Sequence, residues 1–360
     1  MVCIVAFVFV LIGSAVSAKY RRLLGRAWGC VWRRVTFRAC DTTFRQDVKS
    51  SLLAPLAVRH PRLVKPASIA IEVAAWAMVL TMVVSLYLLG RSGLNLYVYG
   101  TCDKQNAQAC SLAAEMCSID GGTPGFWDST LRGDVLGAFG NEFASLGETI
   151  AAVPSRMRTW DAADYAAPDA TYLGGFRDGL PTAVEIIDPG CRFCAQLMAN
   201  IHESGFADEH NLTYLVYPIE GADGPRFANS PLVARYLTAV RAFEAARGPA
   251  TSAETADWYV LDQLFTGDRP DGIRWQTWMN DASPDEAETQ LLMWLDEAGL
   301  SAADIDTIRT STRSDAVTAE LDRIRDVVEN EVRTLAIPSM IAGGGLRSGL
   351  VDVETLQNLR

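Results

Sequence analysis

The chain has 360 residues, 49% of them apolar, and a formal net charge of −11, so it is long enough for more than one folded unit. Charge and apolarity are unevenly distributed along it. A zinc site would need two ligands beyond the single Cys-x-x-Cys, and neither the three histidines nor Cys102, Cys110 and Cys117 supply them at a known zinc spacing; no base-reading module accompanies the one basic stretch.

Val2–Ala18 carries no charge, and Ser68–Leu89 carries only Glu72. As helices rising about 1.5 Å per residue, these stretches reach roughly 25–33 Å, enough to cross a bilayer core. Neither has a polar face to turn toward water, which disfavours buried core helices. Residues 1–18 and 68–90 are therefore expected to be two transmembrane helices.

The loop between them, 19–67, holds twelve Lys/Arg against Asp41 and Asp47, whereas beyond residue 90 forty acidic residues face twenty basic ones. The positive-inside rule then puts the loop in the cytoplasm and both termini outside. The rival reading is cleavage of 1–18 as a signal after Val16-Ser17-Ala18, but only Met1 precedes the apolar run, where a positive n-region belongs. Trp28 and Trp32 among the loop arginines suit contact with an anionic lipid surface.

Residues 91–170 read as a juxtamembrane extracytoplasmic segment. Within it, Val135, Leu136, Phe139, Phe143, Leu146 and Ile150 recur at helical spacing over 134–150. Pro, Gly and Asp from Pro154 to Pro181 imply irregular chain with one short strand.

From Ala183 the pattern becomes regular: strand 183–188, a helix opened by Cys191 with Phe193, Leu197, Met198 and Ile201 on one face, and strand 212–217. Ser230-Pro231 starts a helix, and further helices are expected at about 253–266, 284–297, 302–309 and 315–335. A strand introduced by Pro338, a Gly343–Gly345 turn, a partner strand at 346–351 and a helix at 352–359 close the chain. Asn211-Leu212-Thr213 fits a glycosylation sequon, but a strand begins there.

Cys191-Arg192-Phe193-Cys194 follows a strand directly and opens a helix. The unpaired N–H groups and dipole of a helix N-terminus favour an anionic first sulfur, which is the attacking form in disulfide exchange. Arg192 acts in the same direction. One turn on, Cys194 is placed to resolve the mixed disulfide, so Cys191 is the expected nucleophile and Cys191–Cys194 the expected redox-active disulfide. No other cofactor and no metal is expected.

These residues resemble the DsbA-like thioredoxin-fold oxidoreductases in their membrane-anchored form. Four features carry the resemblance over roughly 171–360. They are strand–Cys-x-x-Cys–helix, Glu185 six residues before the first cysteine, an all-helical insertion at about 228–312, and Ile337-Pro338-Ser339 opening the return hairpin. The fold class expected is α/β, thioredoxin-like, with an inserted helical subdomain, preceded by the two transmembrane helices.

The resemblance implies that Pro338 is cis and packs beside Cys191, where with Ile337, Arg192 and Phe193 it meets extended substrate. It also implies that Glu185 is buried and relays the proton of Cys194, although an outward-facing, idle Glu185 is the alternative. Expected partners are exported cysteine-containing proteins, a membrane redox partner that recycles the site, and the lipid bilayer, with no nucleic acid. Arg-Phe between the cysteines leaves the direction of electron flow open.

Two of Cys102, Cys110 and Cys117 are expected to form a structural disulfide in the oxidising compartment, the third pairing elsewhere or relaying electrons to the site. The alternative function is a copper metallochaperone on the same fold, holding the metal between Cys191 and Cys194.

Overall fold

The computed structural model describes residues 58, 61–104, 116–119, 125–221, 223–247 and 255–359. The chain divides into two units, Met1–Gly90 and Arg91–Arg360. In the first, a 3₁₀ turn at Pro61–Leu63 leads into helix α1, Val64–Tyr99, which continues into the second. Its stretch Trp76–Tyr99 is the one helix among the described residues long and apolar enough to cross a membrane. Of the two expected transmembrane helices, one candidate span is present among the described residues, overlapping the expected 68–90. The expected span 1–18 and most of the loop 19–67 lie outside the described residues, and the end of that loop, from Val64, is already part of α1.

In the second unit, strand β1 (Cys117–Ser118) precedes helices α2 (Phe126–Leu131) and α3 (Val135–Met157). Asp134 caps α3 by accepting from the Gly137 backbone N–H at 2.8 Å. The helix runs through Pro154, further than the expected 134–150, and no strand follows among the described residues up to Pro181. A proline three residues from a helix end removes one hydrogen bond and leaves the earlier turns intact.

The apolar positions of α3 face outward, Leu136 being 87% exposed and Phe143 64%. Its small and polar residues Ala138, Glu142, Ser145 and Thr149 are buried instead. Arg91 pairs with Glu142 at 3.1 Å, and Thr149 donates to Asn95 Oδ1 at 3.0 Å, so the polar groups face the C-terminal end of α1.

The sheet is built from β2 (Thr182–Ile187), β3 (Asn211–Val216), β7 (Ser339–Ala342) and β8 (Gly345–Ser348), in the order β3-β2-β7-β8. β2 runs parallel to β3 and antiparallel to β7, and β7 pairs antiparallel with β8. β2 reads Thr-Ala-Val-Glu-Ile-Ile and is buried after its first residue, as a central strand covered on both faces must be. Helix α4 (Arg192–Ser204) crosses from β2 to β3, aided by the short α5 (Phe206–Glu209), and Gly205 at φ 67° ends it in the left-handed conformation that glycine supplies without a Cβ clash.

After β3 comes the hairpin β4 (Glu220–Gly221) and β5 (Gly224–Pro225). The helical layer follows: α6 (Ser230–Ala246), α7 (Ala256–Thr266), α8 (Trp275–Asp281), α9 (Pro284–Glu297), α10 (Ala302–Ser311) and α11 (Asp315–Asp326). The starts of α9 and α10 are fixed by reciprocal capping boxes, Ser283 with Glu286 and Ser301 with Asp304. α11 passes into a π-helical turn, Val327–Val332, and ends at Arg333, φ 55°. Arg241 on α6 is fully buried and pairs with Asp169 and Glu320 at 3.1 Å each, joining α6 to α11. A buried guanidinium requires such partners, since an unpaired buried charge costs several kcal/mol.

The strand β6 (Ala336–Ile337) lies outside the main sheet and pairs antiparallel with β1. The Ile337–Pro338 peptide bond is cis, β7 follows it, and α12 (Val353–Gln357) packs on α4. Gly343 and Gly344, at φ 57° and 74°, form the β7–β8 turn.

Candidate active site

The loop Asp188-Pro189-Gly190 joins β2 to α4 and aims Cys191 at the start of the helix. Asp188 is buried, and its carboxylate accepts from the Ser230 hydroxyl at 2.5 Å, the Ile219 N–H at 2.6 Å and the Gly190 N–H at 2.7 Å. Burial pushes Asp188 up to about 6, against the hydrogen bonds from Ser230 and the two backbone N–H groups. Gly190 has no room for a side chain, because a Cβ there would lie 2.4 Å from Phe227 and 2.7 Å from Asn280 Oδ1.

Helix α8 holds the other side of the loop. Gln276 Nε2 donates to the carbonyls of Pro189 at 2.7 Å and Cys191 at 3.1 Å, and Asn280 Nδ2 donates to that of Gly190 at 3.0 Å. The carbonyls of Pro189 and Gly190, which no helix or strand satisfies, thus find donors on one helix face, at positions i and i+4. Gln276 adds a side-chain donor to the Cys191 carbonyl, which already accepts from the Cys194 N–H at 2.9 Å.

Cys191 is the N-cap residue of α4, so its sulfur sits where the helix presents unpaired N–H groups. Its Sγ lies 3.6 Å from the Ile337 carbonyl, which places the nucleophile expected from sequence against the cis-Pro338 loop. That loop is fixed by Ser339 Oγ donating to the Ala336 carbonyl at 2.7 Å and by Gly349 N–H donating to the Pro338 carbonyl at 2.8 Å. Arg192 is exposed and lies over the half-buried Phe193 ring at 4.6 Å.

The disulfide present differs from the one expected. Cys191 is bonded to Cys117, with Cα atoms 6.1 Å apart, and Cys194 is a free, buried thiol. Cys191 is accordingly 0% exposed, with the 117 segment as its covalent neighbour. The reason is positional: pairing of β1 with β6 sets Cys117 opposite Ile337, the residue whose carbonyl Cys191 touches. Cys102 is also disulfide-bonded, and Cys110 lies outside the described residues.

Burial raises the Cys194 thiol well above its ordinary value, opposed by the Asp188 N–H that donates to its sulfur at 3.4 Å and reinforced by the negative potentials of Asp188 and Glu185. Glu185, in the middle of β2, is fully buried, neither carboxyl oxygen has a partner, and burial pushes it up to about 8. It faces inward, not to solvent. Among the described residues no three His, Cys, Asp or Glu side chains group as a metal site.

Sequence reasoning missed Asp188, Ser230, Gln276 and Asn280 as residues of this site. The one available signal was Asp188-Pro189-Gly190 itself, an acid and a tight turn directly before the first cysteine.

No protein-family model matches this sequence, and no curated protein matches it. Solved structures do. A thioredoxin-like oxidoreductase from Silicibacter pomeroyi is 22% identical, with 54% of this chain and 91% of that chain covered and a TM-score of 0.37. The thiol-disulfide exchange protein α-DsbA2 from Wolbachia pipientis is 17% identical over 53% of this chain and 85% of that one, TM-score 0.38. The oxidoreductase NmDsbA1 from Neisseria meningitidis is 17% identical over 53% and 86%, TM-score 0.31. By its own strand order, its helix-opening Cys-x-x-Cys, its helical layer between β3 and β7 and its cis proline, this chain has a thioredoxin-like α/β fold with an added helical layer.

Proposed function

We propose that this chain is a thiol–disulfide oxidoreductase that exchanges disulfides with cysteines of extracytoplasmic proteins through Cys191 and Cys194. One observation carries the reading: the sulfur at the N-terminus of α4 lies against the cis-proline loop and is already joined to a cysteine of a strand lying on that loop.

The chemistry follows from placement. The helix N-terminus stabilises negative charge on Cys191 Sγ, making it both a nucleophile and a leaving thiolate. A mixed disulfide forms at Cys191, and Cys194, one turn inward, attacks Cys191 to release the bound cysteine. Cys194 is held protonated by burial, so its attack requires a proton acceptor. Glu185, buried without partners and pushed up to about 8, is the acceptor we assign. Pro338 and Ile337 bound the docking edge, and Arg192 and Phe193 face the incoming chain. The electrons stay on sulfur throughout, so no further cofactor is invoked.

The apolar stretch Trp76–Tyr99 supports a membrane tether. With 1–18 as a second span, the basic loop 19–67 lies on the cytoplasmic side, the catalytic domain faces outward, and a membrane redox partner recycles the site.

Equilibration of the full-length chain in glutathione buffers tests the assignment. A two-electron transition involving Cys191, at a potential between about −120 and −270 mV, is expected, and Cys191→Ser should abolish both the transition and catalysed peptide oxidation or reduction. Exchange activity that survives Cys191→Ser would overturn it.

A further inference from the structure

We propose that Cys117 is a third redox-active cysteine: the segment Met116–Ile119 occupies, within the same chain, the edge where an extended cysteine-containing peptide docks, and Cys194 displaces it. This deepens, and rests on, the exchange reading of Cys191 and Cys194.

The segment is held as a bound peptide would be held. β1 pairs antiparallel with β6, Cys117 opposite Ile337 and Ser118 opposite Ala336. Ile119 N–H donates to the Leu335 carbonyl at 3.0 Å, extending the ladder past the strand. The Arg226 guanidinium donates to the Ser118 carbonyl at 2.7 Å and to its hydroxyl at 3.2 Å. All four residues of the segment are buried. Addition of an extended segment to a strand edge, with affinity from main-chain hydrogen bonds, is a general mode of peptide recognition. A disulfide serving only stability would not need the sulfur at the start of α4, nor would it leave Cys194 as a free thiol one turn away.

The step balances without any oxidant or reductant. The Cys194 thiolate attacks Cys191 Sγ, the Cys191–Cys194 bond forms, the Cys117–Cys191 bond breaks, and Cys117 departs as a thiolate that takes up the proton Cys194 lost. One disulfide and one thiol stand on each side. A substrate dithiol can then reach Cys191 once the segment has left the edge, and in the reverse direction Cys117 reoccupies it. The docked segment also states what the edge accepts: an extended chain with a cysteine at the site of Cys117 and, directly after it, a residue whose carbonyl Arg226 can grip.

The test uses the full-length chain in detergent in its oxidised state, acid-quenched, alkylated at free thiols and mapped by mass spectrometry, alongside the initial rate of oxidation of a dithiol peptide. Wild type is expected to map mainly as Cys117–Cys191, Cys117→Ser as Cys191–Cys194. A tethered segment presents itself at an effective concentration on the order of 1 mM, so with peptide at about 10 µM the Cys117→Ser rate should exceed wild type by at least about tenfold. Arg226→Ala, which keeps every cysteine, should shift the wild-type partition toward Cys191–Cys194. A Cys117–Cys191 bond that persists unchanged through turnover, with equal rates in wild type and Cys117→Ser and no shift in Arg226→Ala, overturns this proposal and leaves the exchange reading standing. A partition that shifts as expected while no form oxidises the peptide supports internal docking and overturns the exchange reading instead.

Discussion

Replacing Glu185 with leucine should stabilise the protein and slow its chemistry. The carboxyl is 0% exposed and both its oxygens lack partners, so burial favours the neutral acid, and the minor ionised fraction near neutral pH is the form that accepts the Cys194 proton. Burial lifts it from an ordinary 4.5 to about 8. A carboxyl raised in the fold binds its proton more tightly folded than unfolded, so stability is fullest below 4.5 and falls as pH rises toward 8. At about 1.4 kcal/mol per unit, the loss reaches about 3 kcal/mol at pH 7 and about 5 kcal/mol above pH 8.

Asp188, pushed up to about 6 by burial, loses stability over roughly pH 4–6 in wild type and variant alike, so the interval from pH 6 to 8 isolates Glu185. Denaturant unfolding of the full-length chain, followed by the fluorescence of the buried Trp258 and Trp294, supplies the measurement. Wild type should lose about 2 kcal/mol or more between pH 6 and 8 relative to Glu185→Leu, while release of a mixed disulfide by Cys194 slows in the variant. Equal slopes for the two proteins in that window would refute the argument.

Other perturbations give separate readouts. Gln276→Ala leaves the Pro189 carbonyl without its donor and should cost about 1–3 kcal/mol in denaturant unfolding, with slower peptide exchange. Gly190→Ala places a methyl 2.4 Å from Phe227, and the overpacking should cost about 1–3 kcal/mol in the same assay. Arginine at both Leu80 and Leu86, exposed on the apolar helix α1, should add about 2.5–3.5 kcal/mol each to the cost of membrane insertion and, in a chain lacking the other proposed span 1–18, move the protein to the soluble fraction on cell fractionation.

The catalytic half of the domain was legible because its signals are local. Cys-x-x-Cys directly after Val184-Glu185-Ile186-Ile187 marks a strand running into a helix, and the structure places β2 and α4 there. Ser283, Ser301 and Ser314 are N-caps, so the starts of α9, α10 and α11 could be read nearly to the residue. Short or tertiary features were not. Helix α8 is seven residues long, too short for a periodic stripe, yet it carries Gln276 and Asn280. The last expected helix, 315–335, turns π-helical at Val327 and stops at Val332, a change with no sequence cue. Outward-facing apolar residues on α3 defeat any rule equating an apolar stripe with a core face.

Pairing of Cys117 with Cys191, across a separation of 74 residues, could not be deduced from spacing, because it depends on β1 finding the edge strand beside Pro338.

The central claim is that Cys191 is the sulfur that meets other cysteines, and trapping tests it most directly. In Cys117→Ser/Cys194→Ser, neither internal thiol can displace a bound peptide. Incubated with a disulfide-containing peptide, the reduced variant should accumulate a one-to-one adduct mapping to Cys191. Failure to form the adduct, or its appearance on any other cysteine, would contradict the account.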